Sequence, residues 1–324
     1  MIPEYAALVV AFALTLDMLC GDPPNRYHPT AWVGSIYGRL IPYLETSKMH
    51  KELAWGTIVV LGVCATVASL LFVLEYAISA ILEGTVKTLI LIILGTVLLK
   101  STIAIRGMQT HAIRVAKSLD ANDINCARGN LAMIVKRHTG DLEQTHLISG
   151  TLESISENTT DGITGSLFYF SLFGLPGAFV YRAVNTADSM IGYKNKIFSN
   201  LGRFAASCDT VLNYVPARLT AFVMVIAAMV LKMDWKRSYK TMRKYGSCTD
   251  SSNAGYTMAA LAGALNVTLE KPKHYVICGG NVNLTTVHVH KAIRLMKATI
   301  FFFYITAVLP IMVALSYTGW WIHA

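Results

Sequence analysis

The sequence predicts an all-α, polytopic integral membrane protein, and three observations support this. Hydrophobic residues make up 54% of the chain and charged residues only 15%, against about 25% charged residues in ordinary soluble domains. Residues 54–74 and 298–322 contain no charge, and each run is long enough to cross about 30 Å of hydrocarbon. Basic residues concentrate between apolar segments. We expect four to six membrane-embedded helical segments, with the polar motifs gathered on the cytoplasmic side.

Two further segments predict membrane helices, and two others are ambiguous. Residues 6–20 are apolar apart from Asp17, and residues 88–99 should continue as a helix through position 105. The segment 163–181 contains Gly174, Pro176 and Gly177, and the uncharged core of segment 216–233 is short for a span. Either both ambiguous segments cross the bilayer, or neither crosses fully and every polar motif lies on one side.

Charge and cysteine usage exclude several function classes. The net charge of +9 comes mainly from three connections, 21–53, 106–162 and 232–297. The positive-inside rule places these connections in the cytoplasm, so the charge does not require nucleic acid as a partner. The six cysteines form no C-x-x-C pair, which argues against a zinc site or a disulfide framework. Because no linker separates domains, we expect residues 1–324 to form a single membrane domain.

A row of three acids is the most informative motif. Glu153, Glu157 and Asp161 are spaced four residues apart, so a helix would bring their carboxylates near one face, where they repel unless a cation lies between them. Mg²⁺ suits such a row, since it binds one or two carboxylates, waters and substrate phosphates. A solvated acidic helix face is the alternative interpretation. Asn158 lies within the row but points away from the acids on an ideal helix.

Acidic and histidine side chains also accompany the first apolar segment. The loop 21–29 holds Asp22 and His28 at the membrane edge, where Asp22 is a candidate cation or metal ligand. A helix-ending turn with an incidental histidine is the alternative. Asp17 lies at membrane depth, where an acid usually faces a partner or a cavity; the alternative is that Asp17, near the helix end, simply reaches the interface.

Three later clusters supply arginines, amides and further acids. Arg182, Asn185 and Asp188 recur at three-residue spacing, as in a local network or a phosphate-binding group. Asp209 and Asn213 are one turn apart, and Pro216 should open the next helix with Arg218 at its entrance. The third cluster runs from Thr249 to Gly255 and includes Asn253; it precedes a predicted helix over 258–265 whose N-terminus suits a phosphate, although helix capping alone would also explain it.

Common enzyme signatures are absent from the sequence. The chain contains no G-x-x-x-x-G-K-[ST] loop and no H-E-x-x-H or G-x-S-x-G motif. Recurring acids, amides and arginines therefore favour Mg²⁺ and polyphosphate chemistry over hydride transfer or zinc and serine hydrolysis. A transporter and a non-catalytic membrane subunit are the alternatives, since an intramembrane acid and a Gly/Pro-broken segment are also transporter features.

These motifs together resemble the CobD/CbiB family of cobalamin biosynthesis. The matching stretches run in order along nearly the whole chain: Asp22-Pro23 with His28-Pro29, the acidic row 153–162, Gly174 to Ala178, the cluster 181–193, Asn213 to Thr220, and Asn253 to Gly255. The chain departs from the family's pattern at His138, Thr210 and Ser252.

The resemblance implies adenosylcobinamide-phosphate synthase activity, an ATP-dependent carbon-nitrogen ligation. ATP and Mg²⁺ would be required, and the corrinoid would be a substrate rather than a prosthetic group. The expected partners are adenosylcobyric acid, aminopropanol or its phosphate, the lipid bilayer, and a second copy or other corrinoid-pathway enzymes. The expected location is the cell membrane, with the active site facing the cytoplasm; the ambiguous segment 163–181 would then be re-entrant or buried.

The resemblance also implies roles for the motif residues. The expected metal ligands are Glu153, Glu157, Asp161, Asp188, Asp209 and Asp22. The expected catalytic residues are Glu153, Glu157, Asp161 and Asp188, with His28 as the candidate base. The expected substrate and phosphate ligands are Arg182, Asn185, Arg218, Asn213, Asn253, Gly255 and Asn158.

Overall fold

The computed structural model describes residues 3–44, 49–191 and 200–319, and within these the fold is helical with one short hairpin. The helices are α1 (Pro3–Cys20), α2 (Pro29–Leu44), α3 (Met49–Ile81), α4 (Gly84–Lys100), α5 (Ile105–Asp120), α6 (Ile124–Ala132), α7 (Gln144–Thr159), α8 (Gly165–Ile191), α9 (Arg203–Val230), α10 (Trp235–Tyr245), α11 (Ala254–Leu265), α12 (Thr286–Phe303) and α13 (Leu309–Tyr317). A 3₁₀ turn covers Asn25–Tyr27, and π-helical turns cover Thr160–Thr164 and Tyr304–Val308.

Five helical stretches of the described chain are long and apolar enough to cross a membrane, which confirms the predicted helical membrane class. They are Lys51–Ile81, Gly84–Asp120, Gln144–Ile191, Arg203–Val230 and Thr286–Tyr317. The predicted helical continuation of residues 88–99 through position 105 is wrong. The helix ends at Lys100, and a new one begins at Ile105 after a short turn.

The helix in segment 163–181 is interrupted at Gly174, as the glycines and proline of this segment predicted. Gly174 has φ 65° and ψ −153°, a backbone conformation that residues other than glycine rarely adopt, and it interrupts α8 with a kink. Gly177 lies where any Cβ would meet the backbone of Tyr169 and the side chain of Phe173, so the second glycine permits close packing just after the kink. The chain is therefore broken inside an apolar stretch, as in a discontinuous membrane helix.

The predicted helix start at Pro216 is wrong, because Pro216 lies inside the continuous helix α9. A proline within a helix cannot donate to the carbonyl four residues earlier, here that of Leu212. The hydroxyl of Tyr169 instead donates to this carbonyl at 3.0 Å. The side chain thus replaces the missing backbone donor.

Helix α7 begins at Gln144 after Glu143, and Asp141 does not cap it. Asp141 is instead almost fully exposed and lies 3.6 Å from His138. The chain turns between α5 and α6, since α5 ends at Asp120 and Asp123 caps α6 by accepting from the Cys126 amide.

The chain forms two compact units, and each is assembled from separate segments. The first comprises residues 1–104, 165–212 and 308–324, and the second comprises residues 105–164 and 213–307. The prediction of a single membrane domain stays a prediction. In the first unit, α2, α3 and α8 pack around an apolar core that includes Tyr37, Val60 and Val184.

Helix α7 lies at the centre of the second unit, in contact with α5, α6, α11, α12 and the hairpin. Leu147, Ile148, Leu152 and Ile155 are fully buried on it. The hairpin pairs strand β1 (Thr268–Lys271) with strand β2 (Tyr275–Cys278) in antiparallel register, with Thr268 opposite Cys278. Sequence reasoning missed this hairpin, which brings residues far along the chain to the acidic helix.

Candidate functional site

Glu153 lies in the second unit as a buried acid with several partners. Arg137 Nη1 lies 3.2 Å from its Oε2, and the Tyr275 hydroxyl donates to the same oxygen at 2.9 Å. The Ser149 hydroxyl donates to the other oxygen, Oε1, at 2.8 Å. Gly150 makes room for this arrangement, because a Cβ there would collide with the Arg137 guanidinium. Glu153 thus neutralises Arg137 and fixes it against α7.

Tyr275 remains a hydrogen-bond donor over the whole physiological range. Burial raises the pKa of its hydroxyl, and the neighbouring carboxylates of Glu153 and Glu157 raise it further. The protonated phenol therefore keeps its bond to Glu153. Neither Tyr275 nor Arg137 had been assigned a role from sequence, because both are separated from Glu153 along the chain.

Glu157 and Asp161 are half-buried, and Asp161 falls in the π-helical turn that follows α7. Such turns recur at functional sites. Asn158 donates to the backbone carbonyl of Ser154 at 2.9 Å, so its side-chain nitrogen serves the helix itself. This contact agrees with an orientation away from the acidic row.

The predicted metal set is not gathered into a protein-only cage. Among the residues that the structure describes, no three His, Cys, Asp or Glu side chains lie close enough together to hold a metal ion. Two carboxylates with waters and phosphate oxygens satisfy Mg²⁺, so Glu157 and Asp161 fit such an ion in their chemistry. Glu153 fits less well, because Ser149, Tyr275 and Arg137 already occupy its oxygens.

Arg218 and Asn253, predicted from separate motifs, meet at the start of α11. Arg218 Nη1 donates to Asn253 Oδ1 at 3.1 Å and to the Tyr214 carbonyl at 2.7 Å. Its guanidinium lies 3.6 Å from the Tyr214 ring centroid and 4.4 Å from that of Tyr256. The cation is thus fixed beside a helix N-terminus, an arrangement that favours an anion.

The other residues predicted as ligands near α11 have contacts or burial that a purely structural role explains. The Ser251 hydroxyl accepts from the amides of Asn253 and Ala254, so capping of α11 comes from Ser251. A Cβ on Gly255 would collide with the Gly246 carbonyl, which explains that glycine by close packing. Asn213 is buried on α9.

In the first unit, the side-chain amide of Asn185 links Arg182 on α8 to Asp209 on α9. Asn185 accepts from Arg182 Nη1 at 3.3 Å and donates to Asp209 Oδ1 at 3.1 Å. Asn185 is buried, whereas Arg182, Asp188 and Asp209 are half-buried. Gly192 and Tyr193, which complete the α8 motif, lie outside the described residues.

Asp17, Asp22 and His28 form a second cluster in the first unit around Lys100. Lys100 Nζ lies 2.7 Å from Asp22 Oδ1 and 3.4 Å from Asp17 Oδ1. His28 Nε2 lies 3.4 Å from Asp22 Oδ1. Asp17 is fully buried, so Lys100 is the partner that an acid at membrane depth requires. The sequence analysis placed Lys100 within a helix continuing through position 105 and gave it no partner, although a lone lysine after an apolar run was the available signal.

The pKa of Asp22 is set by two opposing effects. Burial alone would raise it, but hydrogen bonds and charge attraction from His28 and Lys100 outweigh burial and leave it below its ordinary value. Asp22 is therefore ionised near neutral pH. Its two basic partners make it a charge-balancing group at the end of α1.

Comparison with known proteins places the chain in a family. The family model described as CobD/Cbib protein matches residues 10–296. A probable cobalamin biosynthesis protein CobD of Methanothermobacter thermautotrophicus is 38% identical over 299 residues, covering 92% of this chain and 96% of the relative. A cobalamin biosynthesis protein CobD of Dehalococcoides mccartyi is 36% identical over 268 residues, covering 83% of this chain and 85% of the relative.

A third relative has a similar identity and coverage. The probable cobalamin biosynthesis protein CobD of Methanocaldococcus jannaschii is 34% identical over 305 residues, covering 90% of this chain and 92% of the relative. No solved structure matches the chain. The family model and these relatives each span far more than half of the sequence, and the chain belongs to the CobD/CbiB family.

Proposed function

We propose that the protein is an ATP-dependent amide-forming synthase of cobalamin biosynthesis. It would join a carboxylate of adenosylcobyric acid to the amine of aminopropanol or of aminopropanol phosphate. The observation that carries the proposal lies within the second unit. There, Arg218 is fixed by Asn253 at the N-terminus of α11, and a helix with acidic residues ends in a π-helical turn.

The chemistry explains why ATP is required. A carboxylate resists attack by an amine because oxide is a poor leaving group. The carboxylate oxygen would attack the γ-phosphorus of ATP, forming an acyl phosphate and releasing ADP. The amine would then attack the acyl carbon, form the amide bond and expel phosphate, while its extra proton passes to a base. One ATP is consumed for each amide.

We assign phosphate binding to Arg218 and to the N-terminus of α11. The Arg218 guanidinium and the positive end of α11 would bind phosphate oxygens. In the first unit, Asn185 orients Arg182, whose guanidinium would suit a phosphate or a carboxylate. When bound, Mg²⁺ would be held by Glu157 and Asp161 and would neutralise phosphate charge. Glu153 would contribute by holding Arg137.

His28 is the proposed acceptor of the amine proton. Its Nε2 faces the Asp22 carboxylate, which favours the tautomer with hydrogen on that nitrogen. Its Nδ1 is buried and has no hydrogen-bond partner among the described residues, so Nδ1 would be the basic nitrogen.

Because ATP is cytoplasmic, we propose that these residues face the cytoplasm. The kink at Gly174 supports a discontinuous membrane segment between α7 and the Arg182 cluster. The net positive charge of the connections supports the same orientation.

A direct assay tests the reaction. Purified protein is incubated with adenosylcobyric acid, aminopropanol or its phosphate, and MgATP, and the amide is identified by its mass. Product and ADP should appear in equal amounts. Corrinoid flux in proteoliposomes without any product would indicate a transporter instead.

A matched pair of variants tests the acidic turn. Glu157→Gln should abolish turnover without unfolding the protein, because it removes a carboxylate from the proposed Mg²⁺-phosphate site. Asp141→Asn removes an almost fully exposed carboxylate from the same unit and should leave turnover unchanged. Undiminished turnover in Glu157→Gln would remove Glu157 from the mechanism.

A further inference from the structure

Helix α10 carries an exposed, strongly basic surface that the proposed reaction does not use. Its residues Trp235–Tyr245 contain five Lys or Arg side chains and no acid. One side of the helix packs on α11: Ser238, Thr241 and Met242 are buried, and the Ser238 hydroxyl donates to the Ala260 carbonyl at 2.7 Å. The opposite side is exposed.

The exposed side is organised into two neighbouring stripes. Lys236, Lys240 and Arg243 recur at i, i+4 and i+7 and therefore share one helix face. Trp235 and Tyr239 stand at i and i+4 beside them, with 40% and 39% of their surfaces exposed. We call these five residues the α10 stripe pair.

Aromatic contacts hold the cations against the aromatic stripe. Lys236 Nζ lies 5.7 Å from the Trp235 ring centroid, and the Arg243 guanidinium carbon lies 5.9 Å from that of Tyr239. Both distances fall within cation–π range. Arg237, by contrast, pairs with Asp234 at 3.2 Å and supports the helix start.

Connectivity places α10 at the end of an apolar helix. Helix α9 is long and apolar enough to cross a membrane, and it ends at Val230, with four residues between it and the start of α10. Lys232 is the first charged residue after Arg218. Trp and Tyr concentrate at the membrane–water interface, and basic residues next to a span contact lipid headgroups.

We propose that the α10 stripe pair is a binding surface for anionic lipid headgroups. The helix lies in the plane of the interface, with Trp235 and Tyr239 at the acyl boundary. Lys236, Lys240 and Arg243 contact the phosphates of acidic lipids. An amphipathic helix with cations beside aromatic residues fits this position. The proposal does not depend on the reaction that the protein catalyses.

Trp235 itself serves as the probe. The full-length protein is reconstituted in nanodiscs of phosphatidylcholine and phosphatidylglycerol, with bromine on the acyl chains of one lipid or of the other. The Trp235 signal is the fluorescence difference between the unchanged protein and Trp235→Phe. Bromine on phosphatidylglycerol should quench it several-fold more, after correction for bulk lipid ratio, than bromine on phosphatidylcholine.

Two triple variants separate charge from shape. Removing three surface charges through Lys236→Gln, Lys240→Gln and Arg243→Gln should abolish the several-fold preference for the anionic lipid, since each charge contributes about fivefold. Exchanging the same positions as Lys236→Arg, Lys240→Arg and Arg243→Lys preserves the charge and should preserve the preference.

Quenching of the unchanged protein at two salt concentrations tests the proposal even if a charge variant fails to fold. Raising the salt concentration about tenfold should abolish the lipid preference, because headgroup attraction is screened. Equal quenching by both brominated lipids at low salt would overturn the proposal. A lipid preference that persists in the charge-removing variant would also overturn the proposal. An α10 surface that binds an acidic protein instead of lipid would give equal quenching by both brominated lipids.

Discussion

Half-buried Arg137 and buried Glu153 form an ion pair, with Nη1 and Oε2 3.2 Å apart, and Gly150 leaves the space that the guanidinium fills. Because one partner without the other would be an uncompensated buried charge, the pair is costly to break, by about 3–5 kcal/mol in comparable cases.

Gly150→Ala should lower both the melting temperature and the rate of amide formation. The added methyl group collides with the Arg137 guanidinium and presses on Leu131, so the ion pair must shift. Gly129→Ala is the control, since a Cβ there meets nothing within 4 Å in helix α6. Thermal unfolding in detergent compares the two. Equal melting temperatures would show that Arg137 has room to move.

Arg218→Lys should raise KM for ATP about tenfold, a loss near 1.4 kcal/mol of binding, with a smaller change in kcat. Lysine keeps the charge but loses the planar fork that contacts Asn253 and the Tyr214 carbonyl. Steady-state kinetics with varied MgATP measures the change. Arg203→Lys, an exposed exchange on the same helix, should leave KM unchanged. An unaltered KM in Arg218→Lys would exclude this arginine from ATP binding.

Tyr169→Phe should destabilise the protein by about 1–3 kcal/mol, because the Leu212 carbonyl loses its donor. Pro216→Ala restores a backbone N–H one turn later in α9. Tyr169→Phe should therefore cost less in the Pro216→Ala background than alone. Unfolding free energies of the two single variants and the double variant give the coupling energy. Additive effects would contradict the proposed replacement of the backbone donor by the tyrosine hydroxyl.

Acidification should remove the stabilisation that Asp22 provides. Its pKa is lower in the folded than in the unfolded state, because His28 and Lys100 outweigh the effect of burial. The contribution is therefore present above the unfolded value of about 3.9 and is lost as pH falls through the lower folded value. Asp22→Asn should flatten this part of the melting temperature profile, whereas Asp141→Asn should keep the profile of the unchanged protein. A profile that Asp22→Asn leaves intact would assign the acid sensitivity to other carboxylates.

Local sequence signals predicted the elements that local chemistry controls. The uncharged runs predicted membrane-length helices, and Gly174 predicted a break in its apolar segment. Pro216 was misassigned as a helix start, because sequence alone does not reveal that a distant tyrosine would replace its missing donor.

Sequence alone therefore determined the helical membrane class, the family motifs and the residue types of the candidate site. Only the tertiary structure decided which of those residues meet. Tyr275 reaches Glu153 across 122 positions, and Lys100 reaches Asp22 across 78. Helical spacing describes neighbours a few residues apart, whereas the partner of a buried charge depends on which distant segments the folded chain packs together.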